Sequence, residues 1–151
     1  MSKVIIIDDN QAILEALELL LSLHDIETCC ALSPQQGLSM LESDSEISLV
    51  IQDMNFTSDT TSGEEGESMF YAIRELRPDM PIILMTAWTY LEAAVKLVKN
   101  GAVDYLSKPW DDKKLLASVQ NLVNCKVRSK VLRANLVYRV NHWRSILIFV
   151  P

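Results

Sequence analysis

Asp8, Asp9, Asp53, Thr86 and Lys108 each stand at or just beyond the end of a short apolar run. Three carboxylates gathered in a small space repel one another and raise each other's pKa unless a cation is present. An oxygen-only cluster of that charge suits Mg²⁺, a hard ion that binds through a few carboxylates and keeps several waters. An Asp at such a neutralised site can act as a nucleophile toward phosphorus and form an aspartyl-phosphate. Phosphoryl transfer needs neutralisation of the equatorial oxygens more than covalent help, and the Lys108 ammonium and Thr86 hydroxyl are groups of that kind. Lys108 is also a charged donor able to pair with Asp53 at rest and with a phosphoryl oxygen afterwards. Singly, a DD pair is a solvated loop, a terminal Asp or Thr a turn or cap, and a Lys-Pro step nothing in particular. Their joint arrival at run ends, in this order, is what carries weight.

The chemistry requires elements that bring these positions together. Lys3–Ile7 is a β-branched run too short for a helix and fit for a buried strand. Asn10 can cap a helix reaching about His24, with Ile13, Leu17, Leu20 and Leu21 as its inner stripe. A second strand is predicted at 26–31, then a helix opened by Ser33-Pro34. A third strand is predicted at 47–52, a polar loop at 57–67, and a helix over 68–76 before Pro78. A strand at 81–85, a helix at 91–99 stopped by Gly101, a strand at 103–106 and a helix capped by Asp111 complete the series. Five strand–helix units with near-continuous apolar strands predict an α/β fold: a doubly wound, five-stranded parallel sheet with helices on both faces. In such sheets ligands sit beyond the carboxyl ends of the strands, where the five residues fall.

The chain has 151 residues, 49% hydrophobic and 23% charged, a balance that argues against wholesale disorder. Its net charge of −6 conceals an asymmetry. Through Asp112 there are six basic residues against all 20 acidic ones, net −14; beyond it there are eight basic residues and no acid, net +8. The division suggests two functional sections. Cys29, Cys30 and Cys125 have no metal-ligand spacing and, adjacent on a strand, the first two face opposite ways. Buried reduced thiols and a cytoplasmic location are expected. The start lacks the pattern of a signal peptide, and no apolar run approaches the ~20 residues of a membrane span.

The segments IIIDDN, LVIQDMN, IILMTA and DYLSKPW resemble the receiver (CheY-like) domain of two-component response regulators over roughly residues 2–124. The resemblance implies a flavodoxin-like fold and a phospho-acceptor at Asp53, charged by a sensor histidine kinase. Asp9 and Asp53 would be direct Mg²⁺ ligands, Asp8 would act through water, and the Asn55 backbone carbonyl would complete the protein ligands. Thr86 and Tyr105 resemble the coupled switch pair and Lys108 the site lysine, with a cis Lys108-Pro109 bond that proline makes accessible. The chain would then be a switch rather than an enzyme. It departs from the common pattern after Asp53, where Met54-Asn55-Phe56 and a long loop replace a Met-Pro-Gly turn. This feature and the KPWD segment resemble a subgroup of NtrC-type regulators, which join the receiver to an AAA+ ATPase and a DNA-binding helix-turn-helix.

The expected organisation is a receiver over 1–124 and a basic linker or tail over 125–151, helping a homodimer or leading to an output domain. Nucleic acid would be reached only through such an output domain, and no membrane contact is expected. The 57–67 loop reads as a tolerated insertion, or as an acidic element that helps select the kinase. Trp88 reads as a shield over the phosphoryl group or as partner surface. Two other readings compete: a degenerate receiver binding partners without phosphorylation, and a haloacid-dehalogenase-type phosphatase with Asp8 as nucleophile. A flavodoxin-like electron carrier fits poorly, because Asp8-Asp9-Asn10 has the wrong charge for a flavin phosphate.

Overall fold

The structure, a computed structural model, describes residues 3–56, 64–86 and 91–123. The strands are β1 (Lys3–Ile7), β2 (Glu27–Ala31), β3 (Ile47–Asp53), β4 (Ile82–Thr86) and β5 (Asp104–Ser107). They alternate with α1 (Gln11–Ser22), α2 (Pro34–Ser43), α3 (Glu64–Leu76), α4 (Leu91–Lys99) and α5 (Asp112–Val123). All pairings are parallel, in the order β2-β1-β3-β4-β5. The predicted architecture is therefore the observed one.

The three inner strands are apolar along most of their length because helices cover both faces. Successive side chains alternate between two cores. Ile5, Ile7, Val50 and Leu84 pack with Leu41, Phe70 and Leu97 under α2, α3 and α4. Val4, Ile6, Leu49 and Ile83 pack with Leu17, Leu21, Val119 and Leu122 under α1 and α5.

Helix starts follow the expected caps. Asn10 accepts from the Ala12 N–H, Ser33 from Gln36, and Asp111 from Lys113 and Lys114. Gly101 adopts φ +114 past the end of α4, a region costly for any side chain, and so stops the helix.

One boundary is corrected. The loop expected to run through 67 ends earlier, since α3 begins at Glu64 rather than Ser68. Glu64, Glu65 and Glu67 occupy its first turn, where carboxylates complement the helix dipole. Smaller shifts place the start of β2 at Glu27 and of β5 at Asp104. Cys29 and Cys30 do face opposite cores, but half-buried rather than buried. Burial, with a hydrogen bond to Glu18, pushes the Cys30 thiol up to about 12, leaving it protonated. The expectations for 57–63, Trp88, Cys125 and the basic tail lie outside the described residues. No described helix is long and apolar enough to cross a membrane.

Candidate functional site

Because the strands run parallel, their carboxyl ends share one edge, and hydrogen bonds across that edge fix the loops. The Asp8 N–H donates to the Ala31 carbonyl at 3.1 Å, and Asp8 Oδ1 accepts the Asn10 N–H at 2.9 Å. Together with the Asn10 cap this locks the Asp8-Asp9-Asn10 turn. Asp53 closes β3 opposite Met85, and the Met54 N–H donates to the Met85 carbonyl at 2.8 Å. The Lys108 N–H donates to the Thr86 carbonyl at 2.9 Å, and the Lys108-Pro109 bond is cis as expected.

The side chains converge. Lys108 Nζ donates to Asp53 Oδ1 at 2.8 Å and to Asp8 Oδ2 at 2.9 Å. One carboxylate oxygen each of Asp8, Asp9 and Asp53 lies within 4.8 Å of the others. Asp8 and Asp53 are each 2% exposed, whereas Asp9 is half-buried and opens the cluster outward. Thr86 is buried at the end of β4, one step beyond Met85. Tyr105 is half-buried on neighbouring β5, opposite Leu84 and against the α2–α4 core. Asn55 is half-buried two residues past Asp53.

Electrostatics sets the resting state. Burial first, and the Asp8 charge second, push Asp53 up to about 6 against the pull of Lys108. Burial lowers Lys108, but its bonds to Asp53 and Asp8 outweigh this and hold it above its ordinary value. Among the described residues, buried Asp53 Oδ2 has no hydrogen-bond partner, an arrangement that costs free energy unless a cation or ligand meets it. With an all-carboxylate donor set around it, the site fits a hard divalent cation such as Mg²⁺.

A stability prediction follows. The folded value of Asp53, about 6, lies above the ordinary 3.8. Its contribution to folding is therefore complete below the lower value and lost as pH rises through the higher. In magnesium-free buffer at about pH 8, Asp53→Asn should stabilise the protein by about 2 kcal/mol, fading below about pH 4. Excess Mg²⁺ should remove the gain. Urea unfolding with EDTA or Mg²⁺ reads both; a metal-free variant less stable than wild type would contradict the assignment.

Two residues escaped the sequence reading. Gln52, wholly buried, donates through Nε2 to the Gly66 carbonyl and so ties the end of β3 to the start of α3. Gly66 lies against the Met54 backbone with no room for a Cβ. The only signal was a glutamine inside an apolar run.

Comparison with known proteins bears on the family and the fold. A sequence profile of the response regulator receiver domain matches residues 4–120. The response regulator protein FleR of Pseudomonas aeruginosa is 35% identical over 76% of the chain, which covers 23% of FleR. The DNA-binding transcriptional regulator NtrC of Escherichia coli is 30% identical over 79% of the chain and 24% of NtrC. The chain thus spans about a quarter of the length of these relatives. Among solved structures, the N-terminal signal receiver domain of a two-component response regulator from Bacteroides fragilis is 34% identical. It superposes with a TM-score of 0.72 over 82% of this chain and 98% of that one. A response regulator receiver domain from Clostridium thermocellum gives 0.76 at 29% identity, over 87% and 99%.

Proposed function

This chain belongs to the response regulator receiver family, and from that premise we propose that Asp53 accepts a phosphoryl group from a sensor histidine kinase and thereby switches an output. The observation that carries the reading is the Asp53 carboxylate itself: Oδ1 is held by Lys108, and buried Oδ2 has no partner among the described residues. In Asp8, the nucleophile of the phosphatase reading, both oxygens are engaged, by Asn10 and by Lys108.

In the reaction an Asp53 oxygen attacks phosphorus, an O–P bond forms, and the bond to the donor breaks with its electron pair leaving on the donor nitrogen or oxygen. Lys108 stays within reach of both carboxylates and shifts a hydrogen bond to a phosphoryl oxygen. Asp9 and Asp53, with Asp8 through water and the Asn55 carbonyl, would hold Mg²⁺, which when bound supplies charge neutralisation for the carboxylates and the phosphoryl oxygens. Burial of Asp53 limits the water able to hydrolyse the product.

The new group adds roughly −1.5 to −2 charges and three acceptor oxygens at the edge. Thr86, at the end of β4, turns its hydroxyl to one of them, and half-buried Tyr105 takes up the vacated space. This is a population shift biased by a local charge change. The similarity to FleR and NtrC supports transcription regulation as the output, through a domain outside this chain that reaches DNA. A cytoplasmic setting follows from that reading.

The test is intact mass after incubation with acetyl phosphate and Mg²⁺. Wild type should gain one phosphoryl group and Asp53→Asn none. A variant that still gains it, or a wild type that gains none while folded, would falsify the assignment.

A further inference from the structure

Among the described residues, the most exposed large apolar side chains lie on the outer side of α1. Leu14, Leu17 and Leu21 face the sheet, while Leu19 and Leu23 are 61% and 70% exposed. With exposed Ala12 and Ala16 they form one stripe, spaced four, three and four residues apart. Glu15 and Glu18 stand one position before Ala16 and Leu19, so one flank of the stripe is acidic. A single exposed leucine is ordinary, but a rimmed apolar stripe marks an interaction surface.

The chain holds a segment of matching pattern. Residues 124–151 contain six Lys or Arg and no acid. Val127, Val131, Ala134 and Tyr138 repeat the four-three-four spacing and lose it at Asn141. Lys126, Lys130 and Arg133 each precede one of them, so this stripe is flanked on the same side by the opposite charge. When two helices lie antiparallel, like flanks meet, which puts lysines against glutamates.

The route is short. α1 and α5 pack into the same core on one sheet face. Both run from the carboxyl edge of the sheet back to the amino edge, so the end of α5 at Val123 lies at the same end as Leu23. Residues 124 and 125 remain for the turn, at the short end of the roughly two to eight residues that join adjacent helices, and a tethered segment meets its site at high effective concentration.

We propose that residues 126–138 fold back as a helix, antiparallel to α1, and cover its exposed stripe within the same chain. This surface is separate from the carboxylate cluster, and the proposal does not depend on Asp53 chemistry.

Hydrogen–deuterium exchange on the full chain at low salt tests it. Amides of 127–138 should exchange at least about tenfold more slowly than an unstructured chain. Leu19→Asn/Leu23→Asn, at exposed positions, should abolish the protection with the rest of the fold unchanged. Glu18→Lys and Lys130→Glu should each reduce it by about fivefold, and the pair together should restore it. Absence of protection in wild type, or protection indifferent to Leu19 and Leu23, overturns the proposal. Protection that grows between about 10 and 200 μM protein assigns the stripe to a second copy and overturns the in-chain docking.

Discussion

Asp9→Ala should take up phosphoryl groups from acetyl phosphate about 100-fold more slowly than wild type at equal Mg²⁺, a loss of roughly 2.7 kcal/mol of barrier lowering. Lys108 and the Asn10 N–H already occupy the two oxygens of Asp8. Asp9 is half-buried at the open side of the cluster, with an oxygen within 4.8 Å of those of Asp8 and Asp53. A divalent cation reaching Asp53 from solvent therefore passes Asp9. Removing that carboxylate leaves Asp53 with Lys108 as its one neutralising cation among the described residues, shared with Asp8. The fold should survive, because the turn is held by Asp8 and capped by Asn10. A time course of intact mass checks it, with EDTA-treated wild type as the expected match. If Asp9→Ala labels as fast as wild type, Asp9 has no part in holding the metal.

What was legible in the sequence followed from the physics of the sheet. Parallel strands covered on both faces must be largely apolar, so their ends were marked by the polar residues that close each run, and those residues were Asp8, Asp53 and Thr86. Caps such as Asn10 and Asp111 act within three residues and were read directly. The start of α3 was not, because Ser, Thr, Gly and Glu before Ser68 resemble loop composition. Only the placement of three glutamates on a helix N-terminus, with Gly66 against β3, makes that turn helical. The double engagement of Lys108 was also hidden, since sequence gives the type of a group and not how many partners its ammonium finds. The second partner matters. Lys108 ties Asp8 to Asp53 before any ligand arrives, so the edge is assembled in advance.

Gly66→Ala should destabilise the protein by about 3 kcal/mol, against the gain of up to about 1 kcal/mol that alanine brings to an ordinary helix interior. The expected sign rests on what a Cβ would meet: Met54 Cα and O, both at 2.6 Å, and the Met54 carbonyl carbon at 2.9 Å. Those are backbone atoms, and the Met54 N–H is bound to Met85 of β4. The strand cannot yield, so α3 must move, drawing the Gly66 carbonyl away from Gln52 and leaving a wholly buried amide without its acceptor. Gly37→Ala is the control. Its nearest contact, also 2.6 Å, is Cδ1 of Ile7, the far end of a side chain able to change rotamer, and it should cost about 1 kcal/mol or less. Urea midpoints of the two variants decide the matter; a Gly66→Ala loss no larger than that of Gly37→Ala would mean that α3 is free to slide over β3. The same clash bears on the site, because Met54 lies between Asp53 and Asn55. An α3 forced outward pulls on the segment that carries Asn55, the proposed carbonyl ligand, so any folded Gly66→Ala protein should also need more Mg²⁺ for half-maximal phosphoryl uptake, whereas Gly37→Ala should not.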